Sequence, residues 1–335
     1  MAKRIAIIDG IRTPMGKFGG KLANIEADNL GAHAVRELLA RNNFDTRLIN
    51  EVIFGNVGGP AHAMNIARVV ALKAGIGKQV PAVTVHRNCA SGMESITTAA
   101  ARINVGEGSV YIAGGTESMS NIPFLFNKKG KQFFTQLGGA KTMPDKLKVL
   151  STLRPSMFKP VIGLELGLTD IMAGMGMGGT AEVLAKEYNI SRKEQDEFAM
   201  RSHNLAEAAQ AKLAEEIAPI IANPEKGVVV SEDEGIRKGQ SMEALAKPRP
   251  VFDRKHGTVT AGNASQITDG AAAVILMSEE RAKELGLTPL GYLKEYAYAG
   301  LDPHRMGMGP VYATKRLFEK SGAKLSDIDL IEMNE

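Results

Sequence analysis

Several things are scarce in this sequence, and each scarcity excludes something. There is one cysteine, Cys89, so no internal disulfide can form, which fits a reducing compartment. No run approaches the roughly 18 apolar residues of a membrane helix. The chain is strand-like from Arg4 to Ile8, and Asp9 interrupts the apolar run. That leaves no room for a signal or transit peptide, and the expected location is cytoplasmic. Excess charge is missing too. A net charge of +4 over 335 residues is too mild to argue for nucleic acid. None of the six histidines stands with carboxylates at metal-ligand spacing, so no metal is expected. Gly55, Gly58 and Gly59 match no nucleotide fingerprint, and no Gly-Lys-Ser/Thr follows them. The preferred reading there is a loop that lets backbone approach a nucleophile.

What is present centres on Val85-His86-Arg87-Asn88-Cys89-Ala90-Ser91-Gly92-Met93. An apolar, β-branched run from Val80 to Val85 leads in as a buried strand. Small and apolar residues from Ala90 to Ile103 follow at helical spacing. Cys89 therefore sits where a strand hands over to a helix N-terminus. Backbone N–H groups and the positive end of the helix dipole favour a thiolate there, and a thiolate is a competent nucleophile. The other reading of position alone is a buried cysteine acting as a small hydrophobe.

At this length two or three domains are expected. A first strand, Lys3–Asp9, precedes a loop with Arg12-Thr13-Pro14, and Ala27–Arg41 reads as a helix with Leu30, Ala34, Leu38 and Leu39 on one face. A strand at Glu51–Phe54, a helix at Ala61–Gly75, the strand and helix around Cys89, and a strand at Ser109–Ala113 ending in Gly114-Gly115 follow. Such alternation signals a mostly parallel, mixed sheet covered on both faces. It stops between Asn121 and about Gln266. Asn121–Pro160 mixes aromatics with eight Lys/Arg against a single Asp. Ser191 and Glu194 form a capping box before an amphipathic helix, and Asn223–Lys255 reads as surface loop. The alternation resumes with a strand at Ala271–Met277 and a helix to Leu285. A second unit starts near Leu290, with strands at Tyr292–Ala297 and Ile328–Glu332 around a helix at Val311–Lys320. Leu48–Asn56 and Ile328–Asn334 end alike, a weak internal repeat.

Asn88-Cys89-Ala90-Ser91-Gly92-Met93 resembles the nucleophile motif of the thiolases, CoA-dependent acyltransferases that make or cleave 3-ketoacyl-CoA. More segments resemble that family in its own order. They are Arg12-Thr13-Pro14, Gly114–Ser120, Met177–Glu182, Gly257–Ser265, Asp269–Ala273, Gly307–Pro310 and Glu332–Glu335. The resemblance spans the chain. It implies an α/β fold of two repeated halves plus an inserted loop domain. The halves would be 1–120 with 268–288, and 289–335; the insertion would be 121–267. It implies a cysteine acyl-enzyme in fatty-acid metabolism, coenzyme A or acyl-CoA as substrate, no tightly bound cofactor, and a homodimer or homotetramer.

Residue by residue, Cys89 matches the acylated position and its backbone N–H one oxyanion donor. Asn334 matches the Asn of the family's Asn-Glu-Ala-Phe motif, which holds a water near the other thioester oxygen. Ser265 matches the serine that meets the pantetheine arm, and Met306 a methionine lining the acyl end. Gly176 stands where many thiolases place a loop histidine, which leaves room for longer acyl chains. Two family groups have no match here: a Gly-His-Pro histidine that activates the cysteine and a second cysteine that moves the substrate proton. His86 is nearest to Cys89 in sequence and reads as packing. The second half is expected to be incomplete by about 80 residues, and the chain alone to lack full activity. The alternatives are a non-catalytic CoA-binding or scaffold subunit, and a subunit of a fatty-acid oxidation complex. The latter would dock on a membrane or a hydratase/dehydrogenase partner through 121–160.

Overall fold

The computed structural model describes residues 3–334. Its centre is a seven-stranded mixed sheet. We label its first strands β1 (Ile5–Arg12), β2 (Gly16–Lys17), β3 (Glu51–Gly55), β4 (Ala82–Val85) and β5 (Val110–Ser118). The Thr268–Ser278 and Gly291–Leu293 strands complete it. Across the sheet the order is Gly291–Leu293, β1, Thr268–Ser278, β5, β3, β4, with β2 beside the start of Thr268–Ser278. The sheet is mixed as expected but not mostly parallel. Parallel pairing is confined to β4–β3–β5, and the other ladders are antiparallel, because the strand that returns from the insertion runs against its neighbours β1 and β5.

Period-2 alternation sorts the strand side chains onto two covered faces. Val52, Phe54, Val110, Ile112, Ile275 and Met277 face the helices α1 (Ala27–Arg41) and α2 (Ile66–Lys73). Ile53, Tyr111, Ala113 and Leu276 point the other way, onto Ala99, Ala100 and Ile103 of α3 (Ser91–Val105). In β1, Ala6, Ile8 and Ile11 share one face although the last step is odd, because a bulge lies between Ile7 and Asp9.

The insertion leaves after β5 and returns at Thr268, so one long strand seats its far end between β1 and β5. Arg12 closes the base of this excursion. Its Nε donates to Glu216 at 2.7 Å, and Nη1 and Nη2 donate to Asp233 at 2.7 and 2.9 Å. Asp233 also accepts the Met15 N–H at 2.8 Å. The capping box holds: Ser191 Oγ accepts the Glu194 N–H, and Glu194 accepts the Ser191 N–H.

Five local expectations change. The helix after the Gly-rich loop begins at Ile66, not Ala61, because the Asn65 side chain ties the preceding turn to β4 through Ala82 O and Thr84 Oγ1. Gly114 and Gly115 lie inside β5 rather than ending it. A Cβ on Gly114 would sit 2.3 Å from Ala272 O, so a bare backbone is what lets the pairing continue. The Asn223–Lys255 stretch, read as loop, contains the Val228–Val230 strand and the Met242–Ala246 helix. Ile328–Glu332, read as a strand, has no regular structure and is exposed, Leu330 to 84%. A strand is made by its partner, and no strand of the described residues runs beside this segment. The neighbouring strand is shorter than expected, Gly291–Leu293, and it pairs with β1 of the first unit. Met1, Ala2 and Glu335 lie outside the described residues.

Arg12→Ala should loosen the excursion at its base. The expected cost is about 2 kcal/mol for lost hydrogen bonds to charged groups. Urea unfolding would measure it, and hydrogen exchange should accelerate around Glu216 and Asp233 while α1 stays protected.

Candidate active site

The register brings one edge of the sheet into focus. Gly55 pairs with both Val85 and Gly115, and Asp269 pairs with Ser118. The carboxyl ends of β3, β4 and β5 and the start of Thr268–Ser278 therefore share that edge. In α/β sheets ligands bind outside the carboxyl ends of strands. Cys89 follows β4 and Ser265 precedes Thr268–Ser278, so the sheet brings both to this edge. Both side chains are exposed.

The turn carrying Cys89 is tight. Asn88 has φ +47°, in the left-handed region, which asparagine tolerates better than most residues. The Ala90 N–H donates to Arg87 O and the Ser91 N–H to Asn88 O, both at 3.0 Å. Ser91 Oγ accepts the Arg87 N–H at 2.8 Å and donates to Asn88 O at 2.6 Å. With four bonds inside five residues, the chain turns from β4 into α3 and leaves Cys89 exposed, one residue before the helix N-cap Ala90. β3 must be bare at Gly55 for this turn to sit on it, while the Gly115 contact is an ordinary one. A Cβ on Gly55 would lie 2.3 Å from the Ser91 carbonyl carbon, and one on Gly115 3.4 Å from Gly92 Cα. Of the three glycines, Gly55 ends β3 and admits the Ser91 backbone, whereas Gly58 lies against Ile122 and Glu117 and Gly59 near Asn56.

Glu117 ties this edge together from β5. Its carboxylate accepts the Val57 N–H at 2.8 Å, the Gly58 N–H at 3.0 Å and Asn56 Nδ2 at 2.9 Å. Burial pushes its pKa above the ordinary carboxylate value, against the pull of those donors and of nearby His86. His86, expected to pack, is instead exposed. Its Nδ1 accepts the Asn88 N–H at 3.4 Å, a long bond.

The remaining site candidates sit elsewhere. Met306 lies in the Pro303–Met308 turn, 40% exposed. That turn packs on the Met177–Glu187 helix through Arg305, which donates to Glu187 and Tyr188, and through Gly307 against Leu184. Asn334 is exposed on the segment without regular structure. The sheet register does not bring either of them to Cys89. Around Ser265 the loop is fixed by its neighbours: Asn263 Nδ2 donates to Asp196 and Thr258 O, and Gln266 Nε2 donates to Gly235 O. Among the described residues no group of three or more His, Cys, Asp and Glu could hold a metal ion. No helix among them is long and apolar enough to cross a membrane.

The family model for the thiolase N-terminal domain matches residues 5–280, and that for the thiolase C-terminal domain matches 287–335. The chain belongs to the thiolase family. It is 42% identical over 335 residues to a 3-ketoacyl-CoA thiolase of Escherichia coli, covering 99% of this chain and 76% of that protein. The 3-ketoacyl-CoA thiolase of Serratia proteamaculans is 41% identical with the same coverage. Among solved structures, the Bacillus anthracis acetyl-CoA acetyltransferase superposes with a TM-score of 0.87 at 36% identity, over 98% of this chain and 79% of that one. The human mitochondrial 3-ketoacyl-CoA thiolase in complex with CoA gives 0.85 at 34%, over 98% and 78%. This thiolase is accordingly an acyltransferase of fatty-acid metabolism.

The thiolase motifs acquire physical reasons in the fold. Glu182 of Met177–Glu182 is buried and accepts the N–H groups of Thr258 and Val259. Asp269 is buried and accepts Ser120 N–H and Oγ–H. Asp269 closes a loop at the edge that carries Cys89, and Glu182 closes one within the insertion. Sequence reasoning gave Glu117 no role. A Glu after Gly-Gly-Thr at a strand's carboxyl end, facing a Gly-rich loop rich in free N–H groups, was the available signal.

Gly55→Ala should cost about 1–3 kcal/mol through overpacking, read from urea unfolding. It should also slow acylation of Cys89 more than the equivalent change at Gly138, whose Cβ would meet open space.

Proposed function

We propose that this thiolase forms or cleaves 3-ketoacyl-CoA through an acyl-enzyme on Cys89. The observation that carries the reading is the exposed Cys89, held on a tight turn at a helix start and at the carboxyl edge of the sheet. In the cleaving direction, Cys89 Sγ attacks the C3 carbonyl of the substrate. The C2–C3 bond breaks, C2 takes up a proton, and acetyl-CoA departs, leaving the acyl group on sulfur. The thiol of a second CoA then attacks the acyl carbon and restores Cys89. Both steps pass through an oxyanion, for which the N–H groups at the start of α3 are suited donors.

Ser265 meets the pantetheine arm in this reading, Met306 lines the acyl end, and Asn334 holds a water near the second thioester oxygen. Support for Ser265 is its place on the same edge as Cys89; support for Met306 and Asn334 is the motif match. No further cofactor is required, and coenzyme A enters as substrate, as the CoA complex of the human relative suggests. The reading divides the chain into 1–120 with 268–288, 121–267, and 289–335. It also holds that residues 1–335 alone acylate but turn over poorly, since none of the six histidines stands in the family's activating motif. In this reading the chain self-associates to a homodimer or homotetramer, and the outer edge of β4, which carries no strand among the described residues, would suit such pairing.

Incubation with a 3-ketoacyl-CoA should leave an acyl adduct on Cys89, located by mass spectrometry, and Cys89→Ala should abolish it without unfolding the chain. An adduct on serine or lysine with Cys89 free would overturn the assignment. No adduct, with CoA still bound, would favour a non-catalytic CoA-binding subunit.

The second reading concerns docking to a membrane or to a hydratase/dehydrogenase partner through 121–160. It is favoured by the apolar side chains exposed there beside lysines: Phe124, Leu125, Phe126, Leu147 and Phe158 are all 48% exposed or more. A groove of about 570 Å³ lies among Leu125, Phe126, Lys131, Phe134 and Thr135. Replacing Lys128, Lys129 and Lys131 by Gln should weaken binding to anionic vesicles by about 1 kcal/mol per lysine, less at high salt. Unchanged vesicle binding at low ionic strength would remove the membrane from this reading.

A further inference from the structure

Arg87 opens the turn that presents Cys89, and its side chain reaches out of the first unit. Nε donates to Glu94 Oε2 on α3 at 2.5 Å. The guanidinium carbon lies over the Tyr298 ring, 3.9 Å from its centroid. Tyr298 follows the Gly291–Leu293 strand, inside the stretch matched by the thiolase C-terminal model. It is itself fixed from three sides. Its hydroxyl hydrogen-bonds Thr97 Oγ1 on α3. Its carbonyl accepts Arg316 Nη1 at 2.7 Å, from the Gly309–Ser321 helix. Its ring meets Tyr296 edge-on at 5.8 Å.

A chain of contacts therefore runs from the Gly309–Ser321 helix through Tyr298 to Arg87. The backbone of Arg87 supplies two of the bonds that shape the cysteine turn, the N–H to Ser91 Oγ and the carbonyl to Ala90 N–H. Cys89 is two residues on and bridges back to Arg87. A shift of the Arg87 backbone would therefore reach Cys89. A planar guanidinium stacked on an aromatic face is directional in a way that an ammonium is not.

We propose that Tyr298 and Arg87 are positioning residues for the reaction at Cys89, the Tyr298 ring holding the Arg87 guanidinium and thereby setting the turn that aims the sulfur. Neither touches the reacting atoms. The second unit so takes part in acylation through an aromatic contact as well as through any group that meets substrate. The proposal rests on the reading that Cys89 is the acylated residue.

The test follows acylation of Cys89 in the full chain by mass spectrometry, over a concentration series of one 3-ketoacyl-CoA. The limiting rate and the half-saturating concentration are read separately. Tyr298→Leu and Arg87→Lys should each lower the limiting rate about tenfold, as a small misplacement of a reacting group does. Half-saturation should move by less than about twofold, because the proposal gives neither residue a contact with CoA. Tyr298→Phe keeps the ring and should stay within about twofold of the parent. Arg87→Lys, at a half-exposed position, carries the test if Tyr298→Leu does not fold. A parent-like limiting rate in Arg87→Lys or in folded Tyr298→Leu would overturn the proposal. So would a fall in Tyr298→Phe as large as in Tyr298→Leu, since the hydroxyl bond to Thr97 would then be the cause. If the unaltered chain is acylated elsewhere than Cys89, the reading of the nucleophile fails and this proposal falls with it. If the parent is acylated on Cys89 and only the variant pattern is wrong, the proposal fails alone.

Discussion

The start of α3 lies directly on the sheet, and most of the site depends on that contact. Gly55 at the end of β3 meets the Ser91 backbone at a distance where no side chain fits, and Gly115 of β5 meets Gly92. Two neighbouring strands are thus bare at the same level. Because they are bare, the link from β4 to α3 shortens to a tight turn with Asn88 in the left-handed region. Because the link is short, Cys89 is carried to the outside at a helix start, not folded into the core. Gly55 could be replaced only by pushing the helix start off the sheet, which would displace the sulfur.

Buried acids then close loops, Glu117 and Asp269 at this edge and Glu182 within the insertion. Glu117 takes three donors from Asn56, Val57 and Gly58, Asp269 takes two from Ser120, and Glu182 takes backbone N–H groups of Thr258 and Val259. Each replaces water for N–H groups that irregular backbone cannot satisfy by itself. Removing one such acid would leave several donors unpaired together, which is costlier than losing a single surface contact. At the opposite side of the insertion Arg12 does the same work with the charge reversed, holding Glu216 and Asp233. An excursion from Asn121 to Gln266 can in this way leave and rejoin the sheet without disturbing its register.

Much of this was legible in the sequence. The helix at Ala27–Arg41, the strand at Glu51, the capping box at Ser191 and the strand-to-helix passage at Cys89 follow from local pattern, because burial periodicity and caps are properties of a few adjacent residues. The motifs pointed to thiolase chemistry for the same reason. Ile328–Glu332 misled because its apolar character is local while strand formation is not: β3, of like composition, has β4 and β5 to pair with, and the later segment has no such neighbour among the described residues. Gly114 and Gly115 misled in the opposite sense, since glycine usually ends a strand and here is what permits one.

By itself, the sequence determined which faces are apolar, where helices start, that one cysteine stands at a helix N-terminus, and which family the chain resembles. Only the tertiary structure decided that Cys89 is exposed, that Ser265 shares its edge of the sheet, that Glu117 organises the Gly-rich loop, and that Tyr298 lies on Arg87. The division has a physical cause. Propensity, capping and periodicity act between residues a few positions apart, whereas strand pairing, close backbone approach and ring stacking join residues far apart in the chain. Those contacts exist only once the sheet has brought their elements together.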